Sequence, residues 1–432
     1  MARRIASSGG VGGVIVVAWL ATSIFYFYQY ILRSAPAVMM PQLSDALGLS
    51  TAGLATLVGL FYYGYAPFSL VAGVAMDQLG ARRVVPLGCA IVAVGALLFA
   101  TGDNNLAAVG RLLQGVGGVF ALIGAAYIAT TNFPASKAAT LIGVTQMFGM
   151  AGGSAGQFLV GPAIAGGVTW NWFWAAMGVV GAAIAVLLFL VMPRSPKAAQ
   201  RNWASAAAAA IWAVASNPQS ILCGLIAGLF FIPTTIFDMV WGVRFLQEAH
   251  DMPYGIAVLR SASVPFGWII GCPLVGMLSD RMGRRKPVIV GSGLLLAACL
   301  ALILYGPAGL FPPFVLGLVT GIASGAAMLP YTVIKEANRP EHSGTATGVV
   351  NFINFSFSAL LGPVFGGLLL KASAGGPREL EHYQAAFSPL LYGVGLAVLL
   401  TLLLKETGSS ARSATPPPII PSPPDPVPRR ST

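Results

Sequence analysis

A short phrase occurs twice in this chain, 203 residues apart, each time in the gap between two apolar stretches. The first copy is Gly73, Asp77, Gly80, Arg82 and Arg83, and the second is Gly276, Asp280, Arg281, Gly283, Arg284 and Arg285. The Gly, Asp and Gly anchors keep one common displacement. Other pairs keep nearly the same one. Asn132-x-Pro134 followed by Gly143 returns as Asn338-x-Pro340 followed by Gly348, and Gly161-Pro162 returns as Gly362-Pro363. A duplication that stays in register restricts the fold to two similar halves.

The apolar stretches identify the solvent. Only 9% of the residues are charged and 56% are hydrophobic, whereas soluble domains carry about 25% charge. A chain this poor in charge cannot cover a surface that faces water. A spanning helix needs about 20 mostly apolar residues. Twelve such stretches are expected, over 14–40, 53–76, 84–102, 105–131, 138–163, 171–192, 219–246, 254–279, 286–305, 310–335, 344–370 and 384–404. The predicted fold is an all-α membrane protein with 12 transmembrane helices in two six-helix pseudo-symmetric bundles. Its parts are an N-terminus 1–13, a first half 14–192, a linker 193–218, a second half 219–404 and a disordered Pro-rich tail 405–432. The first apolar run is too long for a signal peptide and is read as a retained helix. Parallel repeats of this kind are one architecture of secondary transporters.

Charge sets the orientation. With the N-terminus placed in the cytoplasm, eighteen basic residues fall on that side and four on the other, which predicts cytoplasmic N- and C-termini. The net charge of +11 is therefore read as topology, facing a lipid bilayer, with no nucleic-acid partner. The four cysteines, Cys89, Cys223, Cys272 and Cys299, lie within apolar stretches and form no C-x-x-C pair. No metal site and no cofactor are expected, and no phosphate-loop motif suggests ATP-driven transport. The tail from Thr407, with Pro416, Pro417 and Pro418, is a possible ligand for a protein partner.

At this point the chain resembles the major facilitator superfamily over about residues 12–405. The phrases at Gly73 and Gly276 look like that family's loop signature, Arg111-x-x-Gln114-Gly115 resembles its fourth-helix motif, and Gly152, Gly156, Gly161 and Pro162 are similar to its fifth-helix motif. The first loop copy departs from the pattern, with Gln78 and Ala81 where a basic residue is common. Weaker gate interactions are expected in the first half. The resemblance implies a gating role for both phrases, through aspartate bonds to a neighbouring helix start or to arginine. More narrowly, Phe27 to Arg33 and Thr345 to Phe352 look most like magnetosome-associated facilitators. That resemblance implies a role in iron supply, in a bacterial inner membrane or a magnetosome membrane.

Charges within spanning helices usually face a cavity or a partner. Arg33 and Asp238 lie 205 residues apart, at nearly equivalent positions of the two halves. Arg33 is expected to bind an anionic solute and Asp238 to exchange a proton, or the two to pair with each other. Arg111 is a further cavity candidate. Gln146 and Asn351 are again 205 apart. Tyr30, Tyr331 and Asn354 are expected to line the cavity with them, as are Tyr26 and Tyr62. Arg33 would repel a bare ferrous ion, so an iron-chelate substrate suits the site better than free iron. A proton-coupled transporter of another small-molecule organic anion is the alternative. A non-transporting sensor or organising protein is the reading from a different class. No enzymatic chemistry is expected.

Overall fold

The computed structural model describes residues 9–49, 51–193, 203–307, 313–374 and 376–408. The described residues are helical with short connections. In chain order the helices are α1 (Gly9–Ser34), α2 (Met40–Leu47), α3 (Thr51–Leu79), α4 (Ala81–Ala100), α5 (Asn104–Asn132), α6 (Ala138–Phe158), α7 (Val160–Ala165), α8 (Trp170–Val191), α9 (Trp203–Ala215) and α10 (Pro218–Ile232). A π-helical segment, Pro233–Gly242, continues α10 into α11 (Val243–His250). There follow α12 (Tyr254–Met282), α13 (Lys286–Tyr305), α14 (Pro313–Ser324), α15 (Leu329–Glu336), α16 (Ser343–Ala372) and α17 (Leu380–Leu403).

Local signals explain the boundaries. Asp103 caps α5, its carboxylate accepting from the backbone N–H groups of Asn105 and Leu106 at 3.0 and 2.9 Å. Asn217 does the same for Gln219 N at 3.0 Å, with Pro218 as the first helical residue. The two phrase glycines, Gly80 and Gly283, have φ of 78° and 62° and turn the chain between helices where a side chain would be strained. Leu190, 71% exposed, and Leu402 and Leu403 point outward, while Ser, Thr, Asn and Gln side chains are buried within the bundle. That inversion suits a lipid exterior.

Eleven spans among the described residues are long and apolar enough to cross a membrane. The expected fifth stretch, 138–163, is not one of them. It is α6, broken from α7 at Leu159, and α6 carries Gln146, Thr140, Thr145 and five glycines. This helix packs against both α1 and α12 and has little lipid-facing surface to make apolar.

Other expectations are revised. The first stretch ends at Ser34 and not near residue 40, because Pro36 follows and a 3-10 turn over Ala35–Val38 intervenes. The linker 193–218 contains α9, built on its alanine run, a strong helix former. The tail begins later than expected, since Lys405–Gly408 are held in place. Lys405 N donates to Gln219 Oε1 at 2.7 Å, Glu406 Oε1 accepts from Arg285 N at 2.6 Å, and Thr407 Oγ1 donates to Glu336 Oε2 at 2.7 Å. Residues 409–432 and their proline run lie outside the described residues, as do 1–8.

Helices of the first and second halves of the chain meet along α3 with α16 and α6 with α12. These are repeat-related crossings, and they position both candidate functional regions.

Candidate substrate and gate sites

Arg33 sits in the last turn of α1, where its flexible stem reaches a cage of rings. Its guanidinium carbon lies 4.8 Å from the Tyr30 ring centroid, 4.9 Å from Tyr62, 5.0 Å from Phe355 and 5.7 Å from Phe61. Nε and Nη2 donate to Tyr62 Oη at 3.2 and 3.0 Å. Nη1 is buried and has no hydrogen-bond partner. No ion pair joins Arg33 to Asp238 among the described residues, so the alternative of a mutual pair is not realised in this conformation. The rings compensate the charge only in part, which leaves a half-buried cation with one face available to an anion.

Two polar clusters come from the two halves. In one, Tyr26 Oη donates to Gln146 Oε1 at 3.0 Å and contacts Tyr30 Oη at 3.3 Å. In the other, Tyr331 Oη donates to Asn351 Oδ1 and accepts from Asn354 Nδ2, both at 3.0 Å, while Asn351 Nδ2 donates to Ser69 Oγ at 2.9 Å. Gln146 and Asn351 thus each accept from a tyrosine hydroxyl, as their repeat-related positions suggest. Gln146 Nε2 and Asn354 Oδ1 are buried and unpartnered. They offer one donor and one acceptor that a polar ligand can satisfy.

Asp238 lies on the π segment, a rare conformation frequent at functional sites. Its Oδ1 accepts from Ser261 Oγ at 3.2 Å. A cavity of about 110 Å³ between the halves is lined by Asp238, Ser261, Tyr30, Gly153 and Ser154 among others. Tyr30 is shared, lining this cavity and carrying the Arg33 guanidinium.

Arg111, 1% exposed inside the first half, adjoins the Arg33 cage through the Phe61 ring, 5.4 Å from its guanidinium carbon. Nη1 donates to Leu32 O at 3.2 Å and to Gln114 Oε1 at 2.7 Å, and Nη2 donates to Val58 O at 3.1 Å. It neither snorkels to an interface nor lines the cavity; it ties α1, α3 and α5 together. Arg111→Ala would leave two carbonyls and an amide unpaired. We expect a loss of about 3 kcal/mol, read as a lowered melting temperature in detergent. Arg111→Lys should not restore it, because one ammonium cannot reach both carbonyl directions.

The loop phrases form a second site. Asp77 Oδ1 accepts from Gly344 N, and its Oδ2 from Thr345 N and Thr345 Oγ1, all at 2.7 Å. The α3 carboxylate therefore caps the start of α16. Asp280 at the end of α12 repeats this on α6, its Oδ2 accepting from Thr140 N at 2.9 Å and Thr140 Oγ1 at 2.8 Å. A Cβ at Gly73 would come within 2.6 Å of Gly344 O, and one at Gly276 within 2.6 Å of Ala139 O, so the glycines permit both close crossings.

Beyond that the copies diverge. Arg285, 2% exposed, bridges Asp280 Oδ1 at 2.6 Å and Glu336 Oε1 at 2.9 Å. Burial opposes its charge, but Glu336 and then Asp280 outweigh that and hold it above the usual arginine range. Arg82, its repeat mate, instead donates to Met192 O at 3.1 Å. Thr130 stands where the second half has Glu336. Arg83, Arg281 and Arg284 are exposed and stand outside this network.

Sequence reasoning missed Thr140 and Thr345, although their 205-residue spacing was a usable signal. It also counted Lys335, at the end of the stretch 310–335, among the eighteen basic residues of the cytoplasmic side. Lys335 is buried, donating to Thr130 Oγ1 at 3.3 Å across the two halves. No group of three or more metal-ligating residues occurs among the described residues.

Comparison with known proteins agrees with the fold. The model of the Major Facilitator Superfamily matches residues 22–363. A hexuronate transporter of Bacillus subtilis is 26% identical over 90% of this chain and 92% of its own length. A probable sulfoacetate transporter of Cupriavidus necator is 23% identical over 86% of this chain and 90% of its own. Among solved structures, the E. coli fucose:proton symporter superposes with a TM-score of 0.70 at 15% identity, covering 90% of this chain and 98% of that one.

Proposed function

Given that this chain belongs to the Major Facilitator Superfamily, we propose that it carries a small organic anion by proton-coupled alternating access. Arg33 is the anion-binding group in this reading and Asp238 the proton-coupling group. The observation that carries it is the Arg33 cage: four rings, one tyrosine hydroxyl and an unpartnered, buried Nη1. A desolvated cation without a counter-charge is costly, and a carboxylate or sulfonate would complete it with charge-assisted bonds. Gln146 Nε2 and Asn354 Oδ1 then suit the hydroxyl or carbonyl groups of such a solute. The names of the hexuronate and sulfoacetate relatives support the same solute class.

The reading includes twelve spans, with halves 14–192 and 219–404 around the linker 193–218. Both termini and the end bearing the loop phrases are cytoplasmic, from the balance of basic residues. In this conformation the halves are latched at that end through Asp77 and Asp280. The narrower reading, an iron chelate moved in a magnetosome or inner-membrane pathway, rests on Phe27 to Arg33 and Thr345 to Phe352 alone. It is one arm of the test.

Purified protein in proteoliposomes is expected to accumulate glucuronate or sulfoacetate faster with an inward proton gradient than without one. Citrate, ferric citrate and ferrous ion are the comparison solutes. Preference for ferric citrate over citrate would favour the iron branch, and accumulation of none of the anions would overturn the proposal.

A further inference from the structure

Two side chains of opposite charge, a buried Arg260 and a half-buried Asp238, line one small cavity inside the second half of the chain and do not bond to each other. The cavity, about 40 Å³, lies among the π segment, α12, α13 and α14, and its polar lining includes Asp238, Arg260, Ser261, Thr234 and Thr320. Arg260 is 8% exposed. Its guanidinium donates from Nη1 to the thioether Sδ of Met252 at 4.0 Å, a long bond to a weak acceptor. The ion pairs among the described residues include neither Arg260 nor Asp238. Asp238 has only the Ser261 hydroxyl at its carboxylate, and Ser261 is the chain neighbour of Arg260.

Asp238 and Ser261 also line the larger cavity between the halves, with Tyr30 on its far side. The carboxyl group is thus a partition. One side meets the space where the solute and water enter, and the other meets the space that holds a cation without a counter-ion. The π segment beneath it is wider than an α-helix, a geometry in which a small change of winding re-aims a side chain.

We propose that Arg260 is the internal counter-charge of Asp238, engaging its carboxylate when the proton is released and turning back to Met252 when a proton returns. This rests on the reading of Asp238 as the proton-coupling group. The proton leaves an Asp238 oxygen for water in the cavity between the halves. Arg260 keeps its own protons throughout, so the inner cavity passes from a net single positive charge to neutrality. Opposite charges attract strongly at short range in so dry a site, which gives the empty carrier a way to hold an ionised Asp238 without solute.

Other charged and titratable groups near the segment are engaged or distant. On α11, Arg244 lies over the Trp241 ring at 5.9 Å, and Glu248 accepts from Tyr383 Oη at 2.6 Å and pairs with Arg378 at 3.6 Å. His250 ends α11 against Phe245, at 5.0 Å between ring centroids. Helix α10 contributes only Cys223, α12 otherwise carries Tyr254 at its start, Cys272, and Asp280 and Arg281 at its far end, α13 carries Cys299, Lys286 donating to Leu402 O and Tyr305 bonded to Ser388 Oγ, and α16 carries Lys371 in its last turn. From the first half, Tyr30 faces Asp238 across the cavity.

The test needs no solute. Dicyclohexylcarbodiimide modifies a carboxyl group in its protonated form, and mass spectrometry of the Asp238 peptide follows the adduct across a pH series in the detergent-purified full chain. Arg260→Gln is expected to retain labelling to higher pH, its midpoint displaced by about one unit or more, a tenfold effect. Arg260→Lys should lie close to the unsubstituted protein. Arg260→Met is the second neutral variant should the glutamine variant not elute as a single species. A midpoint in the neutral variant equal to that of the unsubstituted protein overturns the inference. In proteoliposomes, the stimulation of glucuronate uptake by an inward proton gradient should fall about tenfold in Arg260→Gln and return in Arg260→Lys. If the unsubstituted protein moves no organic anion but the labelling midpoint shifts, the solute reading fails and the counter-charge stands. If uptake occurs and the midpoint does not move, only the counter-charge falls.

Discussion

Replacing Arg33 with alanine is expected to lower the affinity for the transported anion by about 100-fold, with gradient-driven uptake falling in step. The size follows from the geometry. Nη1 and one further guanidinium N–H can both reach an anionic group, and bonds to charged partners contribute about 1.5–3 kcal/mol each. A loss of about 3 kcal/mol corresponds to roughly 100-fold in binding. Arg33→Lys should recover only part of this, because an ammonium is a point charge that cannot hold Tyr62 and the solute together as a planar fork does. Binding of glucuronate to the detergent-purified variants, measured by calorimetry, separates the effect from misfolding. The alanine variant should keep its elution profile, since Arg33 bonds to no backbone carbonyl, in contrast to Arg111. Equal affinity in the variant and the unsubstituted protein would remove Arg33 from the site.

This contrast between two arginines marks the limit of what the sequence discloses. Both lie in apolar stretches, and hydropathy treats them alike. Arg33 and Asp238 stand out in the sequence because the duplication supplies a ruler that places unlike charges at like positions. Arg111 ties three helices together, and nothing along the chain says so, because its carbonyl partners Leu32 O and Val58 O belong to other helices. Arg260 and Lys335 show the same failure in the other direction. Both fall inside expected stretches, 254–279 and 310–335, yet count in the charge balance as if they stood outside the bundle. Folding buries both. The fold itself was legible because spanning length is fixed by the bilayer. The expected stretch 138–163 is helical in α6 and α7, and it is absent from the eleven apolar spans because α6 faces protein more than lipid, where hydropathy has least to say. The π segment was also hidden: a widened turn has no composition signature, and Pro233 marks only where it begins.

The duplicated phrase yields the second large effect, and here the two copies should not be equal. Asp77→Ala removes three charge-assisted bonds to the start of α16, which together contribute about 2–4 kcal/mol to the closed arrangement. The population of the state open at that end should then rise by roughly 30- to 1000-fold. Asp280→Ala removes two bonds to α6 where Asp77→Ala removes three to α16, and the contacts of Arg285 with Glu336, Ser279 and Glu406 stay within the second half. In the first half Arg82 donates to Met192 O and no acidic residue stands at the Glu336 position, so the Arg285–Glu336 bridge has no counterpart there. A cysteine placed at Ser343 can report on this, in a background whose four buried native cysteines are replaced by alanine. Ser343 is buried between the halves, against Thr130 Oγ1 at 3.0 Å. Its reaction with a maleimide should be slow in the parent, about 30-fold faster or more with Asp77→Ala, and intermediate with Asp280→Ala. Uptake should decline in the same order, because a carrier that rests open at one end presents its site less often at the other. Equal labelling rates in all three proteins would mean that these carboxylates only fix the topology of their loops, and that closure at this end is held by the glycine crossings alone.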